Sequence, residues 1–396
     1  MIFRYIVSHT KTSKPIERLW LQSMTPASIR EGFTQLRSDK EMQPLADAAM
    51  CRSEADWLVG INGTRAMTAF NSKSGGFHLT TVGRVQTPTL AILVEREEKI
   101  KKFVARDYFE VRATFDCKAG TYSGRWFDEK FSRDTKTDDS DLRAERLWER
   151  ARADAIRAKC EGKRGSVEEE SKLSTQLSPL LYDLTSLQRE ANGRFGFSAK
   201  TTLSIAQALY EKHKVLTYPR TDSRALPEDY LSTVTAAMQA LAQPYQPFVK
   251  QILAKKWVRP NKRIFNNAKI SDHFAIIPTS LAPKHLSEAE AKVYDLVTKR
   301  FLAVFFPAAE FQVTTRVTRV EGEPFRSDGK IMVNAGWLEI YGREAETDDT
   351  PALVPVASKE SPRATEIAVA ELQTKPPARY SEATLLSAME GAGKLV

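Results

Sequence analysis

The run SLQREANGRFGFSAKTTLSIAQALYEKHKVLTYPRTDSRALPE, residues 186–228, holds the strongest structural signals in this chain. It predicts a helix that begins at Ser198 and ends in the basic residues 212–214. Tyr218 follows soon after and stands directly before Pro219. Because a proline disfavours the α region for the residue before it, we expect Tyr218 to be held extended just beyond a helix end.

Two strand-like regions flank this helical part of the chain. Residues 104–127 and 310–341 alternate apolar and polar side chains, as in YFEVRATF and FQVTTRVTRV, and predict β-strands. We therefore expect a helical insertion between two halves of one β-layer. Helices are predicted at 41–70 (broken near Gly60 or Gly63), 86–101, 178–215, 227–243, 286–306 and after Thr25 and Tyr380, a short strand at 16–22, and irregular structure at 128–172 (with a helix around 141–160) and 344–364.

Composition narrows the class of protein. The chain has 396 residues, of which 42% are hydrophobic, and this predicts two to four domains with real cores. No run approaches the ~18–20 apolar residues that a membrane span needs, and no signal peptide is visible, so we expect a cytoplasmic protein without membrane contact. The three cysteines lie far apart and form no CxxC pair, which predicts neither a disulfide framework nor a zinc ribbon.

The net charge of +9 permits a polyanionic partner. Part of that charge is concentrated in KKWVRPNKRIFNNAK, residues 255–269, which contains six basic residues and no acidic ones. Trp257 and Phe265 are interleaved with the cations. Proteins hold single strands in this way, with cations along the backbone and rings on which bases stack. A solvated loop with one buried tryptophan accounts for the pattern equally well, so both interpretations stay open.

Tyr218 is the first candidate for chemistry. An unperturbed phenol has a pKa of about 10, so it attacks at neutral pH only where cations stabilise its anion. Arg220 and Arg224 lie close enough in sequence to do this. Arginine also stabilises the charge that develops on a phosphodiester under attack. Taken alone, however, Tyr-Pro-Arg is more often a turn with a packed ring.

Two other segments carry candidate residues. His273 lies in ISDHFAIIPT, beside an apolar run where a lone histidine is more often structural. Arg84, Gln86 and Thr87, in VGRVQTPT, have side chains that can reach phosphate oxygens. A plain loop-to-helix junction is the alternative there. Each signal is weak alone, but their joint occurrence in this order is specific.

The segments GRVQTPTL, residues 186–228, HFAIIPT and RYSEATLLSAME follow one another as they do in the type IA DNA topoisomerases, and the chain closely resembles that family. The match is nearest to the bacterial topoisomerase III branch with its plasmid-borne members, and RSEADWLVGINGTRAMT (52–68) belongs to the same pattern. The resemblance runs from about Ile16 to Glu390. It implies an ATP-independent isomerase that cleaves and religates one DNA strand through a 5′-phosphotyrosyl intermediate, allows strand passage, and so relaxes negative supercoils or decatenates DNA.

The resemblance also assigns roles to matching residues. Tyr218 is the expected nucleophile, and Arg220 is expected to contact the scissile phosphate. Asp222 and His273 match a pair that supports the site by orientation and protonation. With Thr87 and Arg224 from the reasoning above, the expected DNA contacts are Arg84, Gln86, Thr87, Arg224, Arg379, Ser381 and Glu382.

The chain also departs from the family pattern. The family opens with a Toprim domain whose glutamate, DxD pair and DREGE stretch bind magnesium, and none of these acids stands before residue 16. Asp139-Ser140-Asp141 has DxD spacing but does not follow an apolar strand, so we reject it as a metal site. We expect Mg²⁺ to serve the family's reaction with ligands outside this chain, a chain truncated at both ends, and DNA binding with little or no cleavage.

The predicted fold is multidomain α/β (α+β), a type IA topoisomerase clamp with helical domains and a β-rich arch, its Toprim domain mostly missing. The predicted domains are a Toprim remnant (1–40), a DNA-binding helical domain (41–103 plus 366–396), the arch (104–172 plus 301–365) and a helical domain with the catalytic tyrosine (173–300). The expected partners are single-stranded and negatively supercoiled DNA, bound by a monomer.

Two other function classes were weighed. A catalytically incomplete remnant would bind single-stranded DNA without cutting it, and the missing acids favour that alternative for this chain. A relaxase or recombinase is a poor match, because relaxases need clustered metal-binding histidines and the five histidines here include no HxH pair.

Overall fold

The structure is a computed structural model that describes residues 2–132, 139, 141–342 and 352–392. These residues form two compact units. The larger unit is drawn from residues 1–98, 180–304 and 379–396, and the smaller from 99–179 and 305–378. The smaller unit holds both predicted strand regions, so a helical block does interrupt the β-layer along the chain.

The helices and strands have the following bounds. The helices are α1 (Ile2–Thr10), α2 (Pro26–Thr34), α3 (Gln43–Asn71), α4 (Gln86–Lys101), α5 (Arg150–Cys160), α6 (Leu184–Phe195), α7 (Ala199–Glu211), α8 (Leu231–Gln239), α9 (Gln246–Ala254), α10 (Glu288–Ala303) and α11 (Glu382–Glu390). The strands are β1 (Glu17–Arg18), β2 (Arg37–Ser38), β3 (Asp107–Cys117), β4 (Gly120–Trp126), β5 (Gly165–Gln176), β6 (Ala309–Val320), β7 (Glu323–Asn334) and β8 (Arg363–Gln373). No helix in the described ranges is both long enough and apolar enough to cross a bilayer.

The smaller unit is built on one antiparallel sheet with the spatial order β5-β6-β7-β4-β3-β8. One face of the sheet packs on α5 around the rings of Phe115, Tyr122 and Phe325. Burial of this apolar face, rather than strand propensity, is what stabilises a half-solvated sheet of this kind.

Two of these strands were not predicted. The region predicted to be irregular ends at 172, but residues 165–176 form the edge strand β5, whose side chains are exposed along most of its length. A strand without a buried face carries no apolar alternation, so the pattern could not show it. The loop predicted at 344–364 ends in the strand β8, which pairs with β3 and lies in the sheet unit, whereas residues from 366 on were assigned to the helical domain. The four-part division otherwise stays a prediction.

The larger unit corrects two further expectations. The helix α3 runs unbroken through Gly60 and Gly63. A Cβ at Gly63 would lie 2.9 Å from a methyl carbon of Val82, so this glycine permits a close approach and does not end the helix. Of the strand predicted at 16–22, only the two residues of β1 form β structure, because β2 offers only two residues for pairing.

The helical block between the two halves of the sheet has its own core. Leu187, Leu209, Val234, Ile252 and Phe301, one from each of its five helices, are fully buried. The helix predicted at 86–101 is α4, the helical segments predicted at 178–215 are α6 and α7, and the helix predicted at 286–306 is α10, so these predictions are confirmed. Thr25 caps α2 with Pro26 at its first position, as expected. This block fixes the surroundings of Tyr218.

Candidate functional site

The chain reverses direction between α7 and Tyr218. Ser198 caps the start of α7 by accepting a hydrogen bond from the backbone N–H of Thr201. At the other end, Lys214 adopts a left-handed conformation with φ of 57°, and the N–H of Val215 donates to the carbonyl of Leu209 at 2.9 Å. A left-handed residue is the usual way to end a helix and turn the chain, and it sends residues 215–218 back alongside the block.

Two threonines anchor the segment that carries Tyr218. The N–H of Thr217 donates to the carbonyl of Ile277 at 3.0 Å, and its hydroxyl donates to the carbonyl of Ala275 at 3.0 Å. On the other side, the hydroxyl of Thr221 donates to the carbonyl of His273 at 2.9 Å. Because both anchors hold the 273–277 segment, Tyr218 lies beside His273.

The rings of Tyr218 and His273 are in contact. Their centroids are 4.3 Å apart with an interplanar angle of 46°. The ring of Tyr210, from the last turn of α7, meets Tyr218 edge-on at 5.3 Å. Tyr218 is half-buried and His273 is exposed. A phenol packed from two sides but open to solvent can be oriented and still be reached by a substrate.

Arg220 lies on the same loop, with an exposed side chain. Its Nη2 donates to Oε1 of Gln207 at 3.4 Å, a long hydrogen bond that restrains the guanidinium weakly. Gln207 and Tyr210 are one turn apart on α7 and both face this loop. The sequence did not single out either residue, although their i, i+3 spacing on the helix before Tyr218 was visible.

Asp222 and Arg224 have separate partners. Oγ of Ser271 donates to Oδ1 of Asp222 at 3.1 Å, two residues before His273. Nε of Arg224 donates to Oδ2 of Asp183 at 2.6 Å, and Asp183 is the N-cap residue of α6. Arg224 therefore supports a helix start in this structure, and its expected role near DNA stays a prediction.

The GRVQ residues lie around the junction of α3 and α4. Nε of Arg84 donates to Oδ1 of Asp56 at 3.1 Å, and both side chains are about half exposed. Gln86 accepts a hydrogen bond from the hydroxyl of Thr81, and the hydroxyl of Thr87 accepts one from the N–H of Gly83. No hydrogen bond or ring contact recorded in the described ranges joins Arg84, Gln86 or Thr87 to Tyr218.

The RYSEA residues connect to two other helices. Arg379 binds both carboxylate oxygens of Glu97, at 2.7 and 3.0 Å. Ser381 caps α11. Oε2 of Glu382 accepts the N–H of Ala199 at 2.6 Å, at the first residue of α7. A carboxylate at a helix N-terminus is favourable. Glu382 therefore stabilises the start of α7, the helix whose last turns contact Tyr218 and Arg220.

Metal ligands were expected to lie outside this chain. The described residues contain no group of three or more His, Cys, Asp or Glu side chains that could hold a metal ion. Asp139 and Asp141 both accept hydrogen bonds from Arg106, at 2.8 and 3.2 Å. The hydrogen bond from Arg106 is the main reason that the pKa of Asp139 lies below its usual value. Ser140, the middle residue of the rejected DxD spacing, is outside the described residues.

Comparison with known proteins identifies the family. A family model described as DNA topoisomerase matches residues 40–393. DNA topoisomerase 3 of Bacillus subtilis is 42% identical over 400 residues, covering 98% of this chain and 52% of that protein. DNA topoisomerase 3 of Bacillus cereus is 40% identical over 405 residues, covering 100% and 52%.

A solved structure shares the fold. Full-length topoisomerase I from Thermotoga maritima superposes with a TM-score of 0.67 at 22% identity, covering 99% of this chain and 61% of that one. This chain spans about half the length of the curated relatives it matches. On this evidence the chain belongs to the type IA DNA topoisomerases and is topoisomerase III-like.

Proposed function

We propose that this chain carries the strand-cutting residues of a type IA DNA topoisomerase, with Tyr218 as the nucleophile. The observation that carries the proposal is the contact between the rings of Tyr218 and His273 at 4.3 Å, next to the exposed Arg220, in a chain of that family. A half-buried ring held from two sides can present its oxygen to a strand lying over the loop.

The reaction is a balanced exchange of esters. The phenolic oxygen of Tyr218 forms a bond to the phosphorus of one DNA strand, and the bond from that phosphorus to the 3′ oxygen breaks. The phenol loses a proton and the leaving 3′ oxygen gains one. Attack of the 3′ hydroxyl on the phosphotyrosine reverses each change, so strand passage needs no ATP. The chain correspondingly lacks a GxxxxGK[ST] loop.

The neighbouring residues divide the remaining work. Arg220 stabilises the negative charge on the attacked phosphate, which suits an exposed guanidinium whose present hydrogen bond to Gln207 is weak. His273, whose ring contacts that of Tyr218, can take the phenolic proton or return it. Asp222 orients the 271–273 segment through Ser271.

The proposed substrate is single-stranded DNA, exposed locally in negatively supercoiled DNA. Arg84, Gln86, Thr87, Arg224, Arg379, Ser381 and Glu382 are the proposed strand contacts. The ion pair of Arg84 with Asp56 is exposed, and exposed pairs contribute only about 0–1 kcal/mol, so a phosphate can replace Asp56 at little cost. We further propose a monomer in the cytoplasm and a requirement for Mg²⁺, as the family resemblance implies.

The test is a covalent adduct. A single-stranded oligonucleotide labelled at its 3′ end is incubated with the protein and magnesium and then denatured. Because Tyr218 keeps the 5′-phosphoryl fragment, the label should migrate with the protein. We expect a small but measurable yield from this chain, and none from Tyr218→Phe.

Tyr210→Phe is the matched control. It removes a phenolic hydroxyl from the ring that packs against Tyr218 and should still form the adduct. An adduct that persists in Tyr218→Phe would mean that another residue is the nucleophile. DNA binding without any adduct in the wild-type protein would support the alternative of a binding remnant that does not cut.

A further inference from the structure

The proposed reaction leaves unused a group of cations just after α9. Lys255, Lys256, Arg259 and Lys269, here called the basic patch, have exposed side chains. None of the four side chains has a recorded hydrogen bond or ion pair to another described residue. The sequence from 230 to 271 contains no acidic residue, so the surrounding chain adds no negative charge of its own. Such a concentration of unpaired charge favours a polyanionic partner.

The basic patch is attached to the loop that follows Tyr218. The N–H of Leu226 donates to the carbonyl of Ile264 at 2.7 Å, and the N–H of Asn266 donates to the carbonyl of Leu226 at 2.9 Å. The hydroxyl of Ser223 donates to the carbonyl of Lys269 at 2.8 Å. These backbone links make the patch and the site loop neighbouring parts of one helical block.

The acidic side chains at the margin do not cancel the patch. Glu228 is paired with Lys262 at 2.6 Å, which is why neither belongs to the patch. Asp229 and Asp222 keep their negative charge, since their donors Ser23, Thr25 and Ser271 are neutral hydroxyls, but no ion pair recorded among the described residues joins either carboxylate to the patch. Asp272 is exposed beside His273, at the Lys269 end of the segment. Lys255, Lys256 and Arg259 therefore form the most positive part.

The four cations of the basic patch offer a partner ionic contacts. Of the two rings in the segment, Phe265 is 2% exposed and cannot stack on bases, whereas Trp257 is half-buried. The side chain of Phe265 belongs to the core of the helical block, which a sequence pattern could not reveal. Cations such as these bind the phosphates of a strand and do not read its bases.

We infer that the basic patch binds the phosphates of the DNA segment that stays attached to Tyr218 after cleavage. The inference rests on the proposed function, in which the 5′-phosphoryl fragment is tied to this tyrosine. The nucleotides next to that link must remain with the block that carries Tyr218. The patch lies on that block and would hold them in position for resealing.

The backbone at Lys256 makes a clean test possible. Lys256 has φ of 54°, a left-handed conformation that is costly for any residue with a Cβ. It closes α9 in a regular C-terminal motif, with its own N–H bound to Leu253 and that of Trp257 bound to Ile252. Lys256→Gly therefore removes one cation while relieving strain, so the protein should be at least as stable as before.

The test measures how salt affects binding of a labelled single strand. The patch variant carries Lys255→Gln, Lys256→Gly and Arg259→Gln. The control variant carries Lys118→Gln, Lys163→Gln and Lys359→Gly in the sheet unit, where Lys359 is also left-handed with φ of 65°. Each lost phosphate contact lowers the magnitude of the slope of log K against log salt by about 0.7, so the patch variant should lose about 2. Its affinity should fall on the order of 10- to 100-fold at low salt.

The outcomes separate this inference from the proposed function. The inference is supported if the slope of log K against log salt becomes shallower in the patch variant alone and the melting temperature of that variant is unchanged. Equal slopes in the wild-type protein and the patch variant overturn it, as does an equal loss in both variants. A wild-type chain that binds no single strand would overturn the proposed function as well, and the Tyr218 adduct tests that function independently.

Discussion

At the scale of single residues, the contact between Tyr218 and His273 depends on hydroxyl groups that take no part in the chemistry. Thr217 and Thr221 flank Tyr218 and donate to carbonyls of the 273–277 segment. Thr221 is 8% exposed, and its hydroxyl also accepts a buried hydrogen bond from the N–H of Ser223 at 3.1 Å. A buried N–H that loses its acceptor keeps its desolvation cost, which is larger than the net contribution of the bond itself.

Thr221→Val tests this anchor. Valine fills the same space but can neither donate nor accept, so the carbonyl of His273 and the N–H of Ser223 both lose their partner. We expect the free energy of unfolding to fall by about 1–3 kcal/mol, and adduct formation to fall with it as His273 shifts. Urea unfolding measures the first effect and the oligonucleotide assay the second.

Thr235→Val is the control for this substitution. The hydroxyl of Thr235 donates within its own helix, to the carbonyl of Leu231, so its loss should change stability little. If Thr221→Val matched this control in both measurements, the threonine would not be what positions His273.

Sequence reasoning reached the residues that lie in recognisable local runs and missed those that meet across the fold. Tyr218 and His273 were found because each stands in a distinctive segment, and the structure places them together. Gln207 and Tyr210 were missed because their importance comes from facing the loop of another segment. The sequence left the role of Phe265 open, because burial depends on partners that are distant in sequence.

At the scale of helices and strands, prediction succeeded where one face of an element is buried. The helix α4 has the predicted bounds, and β3, β4, β6 and β7 lie in the predicted regions. The strand β5 was missed because its side chains are exposed along most of its length, and β8 because a register shift between its buried residues Ala364 and Ile367 breaks the period of two.

The start of α10 predicts a dependence of stability on acid. Both the N–H and the hydroxyl of Ser287 donate to Oε2 of Glu290 at 2.8 Å, and Nε2 of His213 lies 3.1 Å from its other oxygen. These contacts lower the pKa of Glu290 below 4.5. The hydrogen bonds from Ser287 have the larger effect, and the hydrogen bond with His213 has a smaller one. A carboxyl group whose pKa is lowered by folding stabilises the fold at any pH above its pKa in the unfolded chain. This stabilisation is lost as the pH falls through the lower pKa of the folded protein.

Glu290→Gln should therefore flatten the acid side of the stability profile. We expect the melting temperature of the wild-type protein to fall more steeply than that of the variant as pH drops below about 4.5. Calorimetry between about pH 6 and pH 3 measures this. Glu54→Gln, an exposed carboxyl on α3, is the control and should leave the profile unchanged. Parallel profiles for the wild-type protein and Glu290→Gln would contradict the capping account.

At the scale of the whole molecule, apolar surface is unevenly distributed. The helical block has a fully buried core, but α3 exposes Trp57 (63%), Val59 (61%) and Phe70 (61%), and α4 exposes Leu90 (61%). Several large apolar side chains exposed on two neighbouring helices are unusual for a protein surface.

This surface predicts how the isolated chain behaves in solution. We expect it to bind a dye such as ANS. The triple variant Trp57→Gln, Val59→Gln, Phe70→Gln should bind less dye and keep its melting temperature, because these side chains bury little area. Dye fluorescence measures the first effect and thermal unfolding the second.

A core substitution gives the contrast for that variant. Leu209→Gln places an amide in the fully buried interior of the helical block and should lower the melting temperature sharply. If the α3 variant were destabilised to the same extent, its apolar side chains would be part of a core and not a free surface.

The left-handed lysines after α7 and α9 bear on how such a sequence drifts. Random substitution at Lys214 or Lys256 that introduced glycine or asparagine would relax the backbone without disturbing any packed side chain. A lineage that retains lysine at these positions resists that drift. Apart from a modest interaction with the C-terminal end of the helix, the benefit of retaining lysine is the positive charge of its ammonium group. Natural variation at the two positions can therefore separate selection for charge from selection for folding, which few sites in a protein allow.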